Sequence, residues 1–592
     1  MNPGPFVALL SRRPQTRSDR LAGFIRKLNE QRALACLFES ATLLVLGAPT
    51  SPHVLTPDGE GLIWGHLFDR ATGDRVSNAK AGNMDGPAER FVEDYWGGYV
   101  AFRTRNAAAE ALRDPSGAIP CYHVTVDGVH ILTSDPSLLV DGGLIQAEID
   151  WTIVCQALVY RDLLPARTAL RGISEVLPGM VLWVLPTGSE TRCAWTPWRF
   201  TEAQDEISDS ATAVEAVRYT TRQCLKAWDN SIHLPIVEIS GGLDSAIVAA
   251  GLHRNQSRPV GITFGPAPGD PDETPYARAV ASHLGIALTT GVPELAAVDL
   301  FHSDARDLAR PCARNFLQAF DRPDQGLAVR VGADAFFSGG GGDNVFCYLR
   351  SALPAVDRLK RHGLNRDLLV TIGDLATLAE TTVWNVAMRT ARMAFRRGAP
   401  EPWPMEGRFL STTAMADLPL PAGHPWLDAP VDALPGKRAH VTSLIGVQNH
   451  LAGHGRLAFA PIISPLLSQP LVEVCLAIPS WLWCAGGNNR AIARAAFAGS
   501  LPASVIARRT KGAFEGFCTR LVDANRVSLR ALLLEGALAR EKLLDTNAIA
   551  ACLARETLGS TDVIRLLMLA DVEAWVCAWE ARPSSIVRPS VP

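Results

Sequence analysis

The sequence predicts an α/β protein: a layered module of short strands first, then a doubly wound parallel sheet. Three observations lead there. The apolar run Ile236-Val237-Glu238-Ile239 passes through Ser240-Gly241-Gly242-Leu243-Asp244-Ser245 into Ala246–Leu252, which reads as strand, tight turn and helix. Phe336-Phe337 leads into a second turn of that kind, Ser338-Gly339-Gly340-Gly341-Gly342-Asp343-Asn344. The first 200 residues instead carry short apolar runs, the pattern of an all-β or α+β layer.

The totals narrow the class. At 592 residues the chain exceeds one core, and about two to four domains are expected. Its 47% hydrophobic and 20% charged residues suit an ordinary soluble globular protein. A net charge of -3 gives no bulk attraction to nucleic acid or to an anionic membrane. The 12 cysteines are scattered from Cys36 to Cys577 without a C-x-x-C pair, which argues against a disulfide framework or a zinc site. No apolar run is long enough to span a bilayer, and Phe6–Leu10 followed by Arg12 and Arg13 has the wrong order for a signal peptide. A cytoplasmic location is expected.

Residues 1–200 should hold strands at Leu43–Leu46, Gly61–Phe68, Gly98–Phe102 and Val129–Leu132. Residues 201–210 are polar and acidic and read as a linker. The remainder, 211–592, opens on a helix over roughly 211–228, with Val214, Val217, Cys224 and Leu225 on one stripe. After the first glycine turn come a strand at Pro259–Phe264, a helix at Tyr276–Leu284 and a strand at Ile286–Thr290. Such alternation builds parallel βαβ units, whose ligands lie outside the strand C-termini. Residues of about 351–450 read as a largely helical insertion, with a helical stretch Leu375–Val386 and a basic one Arg389–Arg397.

The first glycine turn carries the clearest chemistry. Gly241 and Gly242 can take backbone angles closed to other residues and let an anion approach the main chain. The first amides of the next helix, at the positive end of its dipole, then face a phosphate or pyrophosphate. A glycine pair alone is only a turn, but the whole hexapeptide Ser240–Ser245 resembles the pyrophosphate loop of ATP pyrophosphatases. That resemblance implies ATP, split between its α- and β-phosphates while a carbonyl oxygen is adenylated. It implies nucleotide contacts at Ile239, Ser240, Gly241, Gly242, Leu243, Asp244 and Ser245. Thr263 and Phe264, ending the next strand, and Ser338, Gly339 and Gly340 complete the implied set.

Leu112–His123 with Thr133-Ser134-Asp135, and Gly172–Met180, resemble signatures of the class II glutamine amidotransferase domain, an Ntn-type α+β fold. In asparagine synthetases that domain precedes a pyrophosphate-loop domain, and the order is the same here. The family's nucleophile is an N-terminal cysteine, whereas position 2 is Asn2 and the first cysteine is Cys36. Its glutamine-binding Asn-Gly-Glu has become Trp64-Gly65-His66. An Asn side chain cannot replace a thiolate, so a degenerate domain serving as scaffold or recognition surface is expected.

The second turn stands where asparagine synthetases have Ser-Gly-Glu-Gly-Ser-Asp-Glu. Asp343 keeps that family's aspartate, which faces the loop aspartate across magnesium, so Asp244 and Asp343 are the expected Mg²⁺ ligands. A helix N-cap is the alternative role for Asp343. Gly340, Gly342 and Asn344 replace two glutamates and a serine of the family, and β-lactam synthetases place a tyrosine where Gly340 stands. The implied pocket is roomier and less charged, and unsuited to free aspartate.

Further on, Ala460–Leu467, Gly487–Arg494 and Leu501-Pro502-Ala503-Ser504-Val505 match family segments. Lys511 stands where β-lactam synthetases carry their catalytic lysine. Lys511 and Arg490 are the implied catalytic cations, opposite the charge that grows on acyl-adenylate and pyrophosphate. Glu380, His440 and His454 are all open candidates for a general base.

The chain is thus similar over most of its length to the asparagine synthetase superfamily, and most like the lasso peptide cyclases. That resemblance implies a macrolactam synthetase. An internal Asp or Glu side chain of a precursor peptide is adenylated, then attacked by the core's N-terminal amine once a leader peptidase partner has removed the leader. The alternatives are a small-molecule amide ligase like β-lactam or asparagine synthetase, and a non-catalytic protein that binds the precursor.

Overall fold

The computed structural model describes residues 4–582 apart from 12–17, 79–83, 106–107, 186, 254–257, 269, 396–402, 417, 422, 510–511 and 513. Two six-stranded antiparallel sheets stack in its first third. The first sheet is centred on Val7–Leu10, which pairs with Val129–Thr133 on one side and Leu43–Gly47 on the other. Alternation along that strand assigns its two faces. Val7 and Leu9 pack outward with Phe24 and Leu28 of the helix Asp19–Arg32, while Ala8 and Leu10 pack inward with Leu62, Val100 and Phe102 of the second sheet. The second sheet is organised around Gly61–Asp69 paired with Tyr95–Arg105. All four expected strands form, three of them one residue longer than the sequence indicates and the fourth, Tyr95–Arg105, more than twice its expected length.

Beyond them the chain runs through the helix Ser210–Asp229, whose N-cap Asp209 accepts a hydrogen bond from the Thr212 amide at 2.7 Å. Its buried stripe holds Val217, Cys224, Leu225 and Trp228. Trp228 reaches back into the N-terminal sheets, edge-on to His66 at 5.6 Å and to Phe68 at 4.9 Å. That helix therefore mortises the two halves together.

The third sheet is fully parallel, in the order Ala287–Gly291, Val260–Phe264, Pro235–Glu238, Ala335–Phe337, Ile462–Ile463. The chain starts in the middle strand, walks outward to one edge, then crosses to the other side. The order reverses between Pro235–Glu238 and Ala335–Phe337, and such a switch point opens a crevice at the strand C-termini. Both glycine-rich turns leave from those two strands. The expected fold class is the one observed.

Two details differ from the sequence reading. The helix expected at Tyr276–Leu284 begins at Thr274, because Pro275 suits a first helical turn. The stretch Leu375–Val386 is not one helix but the end of Arg366–Leu378 and the start of Val383–Ala394. Glu380 breaks it at φ 49°, and Thr382 caps the second helix by accepting from the Asn385 amide. Among the described residues no single helix is long and apolar enough to cross a membrane.

Candidate active site at the sheet switch point

The first turn is closed by its own hydroxyls. Ser240 Oγ lies 3.0 Å from Ser245 Oγ, which also accepts from the Ser240 amide at 3.2 Å. The Gly242 amide donates to Ser240 Oγ at 3.4 Å. Gly241 has φ 70°, and a Cβ there would lie 2.5 Å from Tyr276 Cβ, so only glycine fits on both counts. Ile239 and Leu243 are buried in the core and Thr263 is 2% exposed, so these expected nucleotide contacts can offer only main chain or a sheltered hydroxyl. The Phe264 ring packs edge-on against Phe320 at 5.2 Å.

The second turn is moulded onto the first. A Cβ at Gly339 would lie 2.6 Å from the Ser245 amide nitrogen, and one at Gly342 would lie 2.5 Å from Asp244 Cγ. Gly341, at φ 84°, turns the chain against Leu467. Gly340 differs: its nearest side-chain neighbours, Ser338 Oγ and Ser464 Oγ, are 3.4 and 3.5 Å away. The expectation of an open Gly340–Gly342 turn is therefore corrected. Room exists at Gly340, while Gly342 is glycine because the Asp244 carboxylate fills its side-chain space.

That packing sets Asp244 beside Asp343, as expected, but a guanidinium stands between them. Arg490 Nη1 donates to Asp244 Oδ2 and to Asp343 Oδ1, each at 2.6 Å. Arg490 has φ 52°, and its guanidinium lies over the Tyr348 ring at 5.3 Å. Among the described residues no cluster of three or more protein ligands could hold a metal by itself. Two converging carboxylates do fit a Mg²⁺ that brings phosphate oxygens as its other ligands. Arg490 would have to share the carboxylates with it or withdraw.

Lys511 lies outside the described residues, but its neighbours are clamped to the first turn. Arg508 donates to the Gly241 carbonyl at 3.1 Å, pairs with Glu273 at 2.5 Å and stacks over Tyr276 at 4.3 Å. The Gly512 amide donates to the same Glu273 at 2.8 Å. Arg494 ties this strap to Arg490's neighbour, donating to the Arg508 carbonyl and to Asn489 Oδ1, each at 2.8 Å. Burial lowers its guanidinium to about 10. Sequence reading gave Glu273 and Arg508 no role at the site, because the two stand 235 residues apart and pair only through the fold.

A buried charge cluster forms the crevice's other wall. Arg456 pairs with Glu238, Asp324 and Asp321, and Ser338 Oγ donates to Glu238 Oε2 at 3.0 Å. Burial would weaken the Arg456 charge, but those carboxylates raise its pKa above the ordinary range. Asp324 is pushed up to about 7, chiefly by burial. Beside the cluster a cavity of about 200 Å³ is lined by Gly97, Ser116, Trp228, Gly340, His454 and Ser464. Of the three base candidates, only His454 borders it. His440 is buried, pushed down to about 3 by that burial, and tied to the Val345 carbonyl. Glu380 is exposed at the break between two helices.

Among the described residues, the N-terminal sheets fill the expected glutamine-binding positions with buried rings. Trp64 and His66, in place of the expected glutamine-binding residues, are buried among Phe6, Phe68, Trp96 and Trp228. Burial pushes His66 down to about 3 and the Cys121 thiol up to about 12. Neither group is prepared for nucleophilic work at neutral pH.

A family model for asparagine synthase matches residues 236–577, the span that carries both glycine turns, Arg490 and the strap around Lys511. The chain belongs to the asparagine synthase family. ATP-dependent amide-bond formation is that family's chemistry, and the chain is an amide ligase of this kind. No curated protein matches the sequence. Glutamine phosphoribosylpyrophosphate amidotransferase from B. subtilis, solved with ADP and GMP, is similar at 8% identity and a TM-score of 0.20, over 50% of this chain and 83% of that one. A structure of the allosteric regulatory enzyme of purine biosynthesis is similar at 8% identity and a TM-score of 0.20, over 49% of this chain and 80% of that one.

Proposed function

We propose that this asparagine synthase family member is a macrolactam synthetase of the lasso peptide cyclase kind. It adenylates an Asp or Glu side chain inside a precursor peptide, and the peptide's own N-terminal amine then displaces AMP. One observation carries this reading. Free aspartate brings an α-carboxylate that needs a cation, yet Arg456, the guanidinium bordering the cavity at Gly340, is already held by Glu238, Asp321 and Asp324. A side-chain carboxylate within a peptide makes no such demand. A precursor freed of its leader by a peptidase partner is the substrate that supplies both carboxylate and amine.

The chain's own residues divide the work. The main chain of Ser240–Ser245 would bind pyrophosphate at the start of the helix Leu243–His253. Asp244 and Asp343 would hold Mg²⁺, which neutralises phosphate charge as the carboxylate attacks. Arg490 and, as the family resemblance implies, Lys511 would balance charge on the departing pyrophosphate. The cavity at Gly340 would hold amine and adenylate close, and proximity then supplies much of the second step. The amine comes from the peptide, so a filled amidotransferase crevice costs this reaction nothing.

The test is ATP–pyrophosphate exchange with a leaderless peptide carrying an internal Asp or Glu, against free aspartate, with mass spectrometry for loss of one water. Exchange and dehydration with the peptide alone support the proposal. Exchange with free aspartate would move the chain to the small-molecule branch of its family.

A further inference from the structure

The helix Val383–Ala394 buries one face and leaves a second apolar face bare. Val386 and Thr390 are 4% and 2% exposed, on the side that packs toward Leu368, Ile372 and Leu375. Opposite them Trp384 is 83% exposed, Met388 59%, and Phe395 at the helix C-cap 80%. Ala391 is exposed between them. A single exposed tryptophan needs no explanation, but an aligned apolar row marks a contact surface.

Spacing and charge define what fits. The steps from Trp384 to Met388, Ala391 and Phe395 are four, three and four residues, the seam by which one helix receives another. At 3.6 residues per turn these positions share an arc of roughly 60°. Val383, 51% exposed, continues the apolar side on one edge, and the other edge is closed by arginine. One flank of the seam carries Arg389 and Arg392, both exposed, and the helix has no acidic residue of its own. The other flank carries Ala387 and Ala394, both half-buried, with Ala387 packed against the core beneath the helix. A second copy of this helix would lack the acidic complement.

We propose that this face docks an amphipathic helix of a protein partner, with an apolar seam packed on Trp384, Met388 and Phe395 and with Asp or Glu residues opposite Arg389 and Arg392. The inference stands apart from the reading of the catalytic crevice. The probes are two labelled synthetic helices with the same leucine seam, one flanked by glutamates and one by lysines, titrated with the full chain and read by fluorescence anisotropy. The glutamate helix should bind, more weakly as salt rises. The Trp384→Ala, Phe395→Ala double variant should weaken that binding at least about tenfold. Thermal unfolding and ATP–pyrophosphate exchange should not change in the variant, since both side chains point into solvent. Equal binding of both helices, or undiminished binding by the variant, would overturn the proposal. So would a dimer in sedimentation that the variant dissolves, or capture of the face by anionic phosphatidylglycerol vesicles in place of the glutamate helix.

Discussion

Two crevices in this molecule can be set side by side. The one in the N-terminal sheets is filled: Trp64 and His66 occupy it, Trp228 seals it, and its histidine is held neutral by burial. The one at the switch point of the parallel sheet is kept open and charged, with Asp244, Asp343 and Arg490 on one wall and Glu238 and Arg456 on the other. Burying unpaired charge is costly, so aromatic rings pack around Trp64 and His66, while the switch-point crevice keeps its charges paired across its walls. The contrast teaches where charge is held within reach of a ligand.

Substitutions can break that contrast, and the largest effects belong to the charged crevice. Asp244→Ala and Asp343→Ala should each lower ATP–pyrophosphate exchange on the order of 10³-fold, measured at saturating Mg²⁺. Arg490→Ala should cost roughly 10²-fold in exchange, and Arg490→Lys should recover little, because an ammonium loses the planar stacking that seats the guanidinium over Tyr348 at 5.3 Å. Gly342→Ala forces a methyl onto Asp244 and should cost about 1–3 kcal/mol of stability, read by denaturant unfolding, along with most of the exchange. Gly340→Ala, whose methyl would meet Ser338 Oγ and Ser464 Oγ at ordinary contact distances of 3.4 and 3.5 Å, should leave exchange within roughly threefold. Equal damage from both glycine substitutions would contradict the packing described.

The smallest effect on exchange sharpens the filled crevice. His66 is neutral down to about 3 in the folded chain but takes up a proton near 6.5 when unfolded. The unfolded state therefore binds the extra proton, and stability falls as pH drops from 6.5 toward 3. His66→Phe removes that loss, up to about 1.4 kcal/mol for each pH unit, while leaving exchange unchanged at neutral pH. The check is the difference in unfolding free energy between variant and parent across that range.

The sequence alone carried the parts that are local. Both glycine turns, the parallel strands around them and the four N-terminal strands follow from neighbouring residues, and all form. Assembled features were hidden. Asp321 and Asp324 share one helix, but Glu238 and Arg456 reach them only through the fold, and nothing in the local sequence signals that meeting. Gly342 reads as empty space in a sequence, whereas here it is the tightest contact between the turns. Arg490 carried a motif match, but its seat between two expected metal ligands depends on a left-handed backbone that no motif encodes. The Leu375–Val386 stretch has helical periodicity throughout, so its break at Glu380 was visible only in three dimensions.

The central claim is that the charged crevice activates a carboxylate belonging to a peptide. Its most direct measurement is ATP–pyrophosphate exchange with the leaderless peptide and free aspartate in parallel, with the peptide's mass followed in the same reaction. The account predicts exchange with the peptide alone and a product lighter by one water, both lost in Asp244→Ala. Exchange driven by free aspartate, or silence with the peptide despite tight binding, would contradict it.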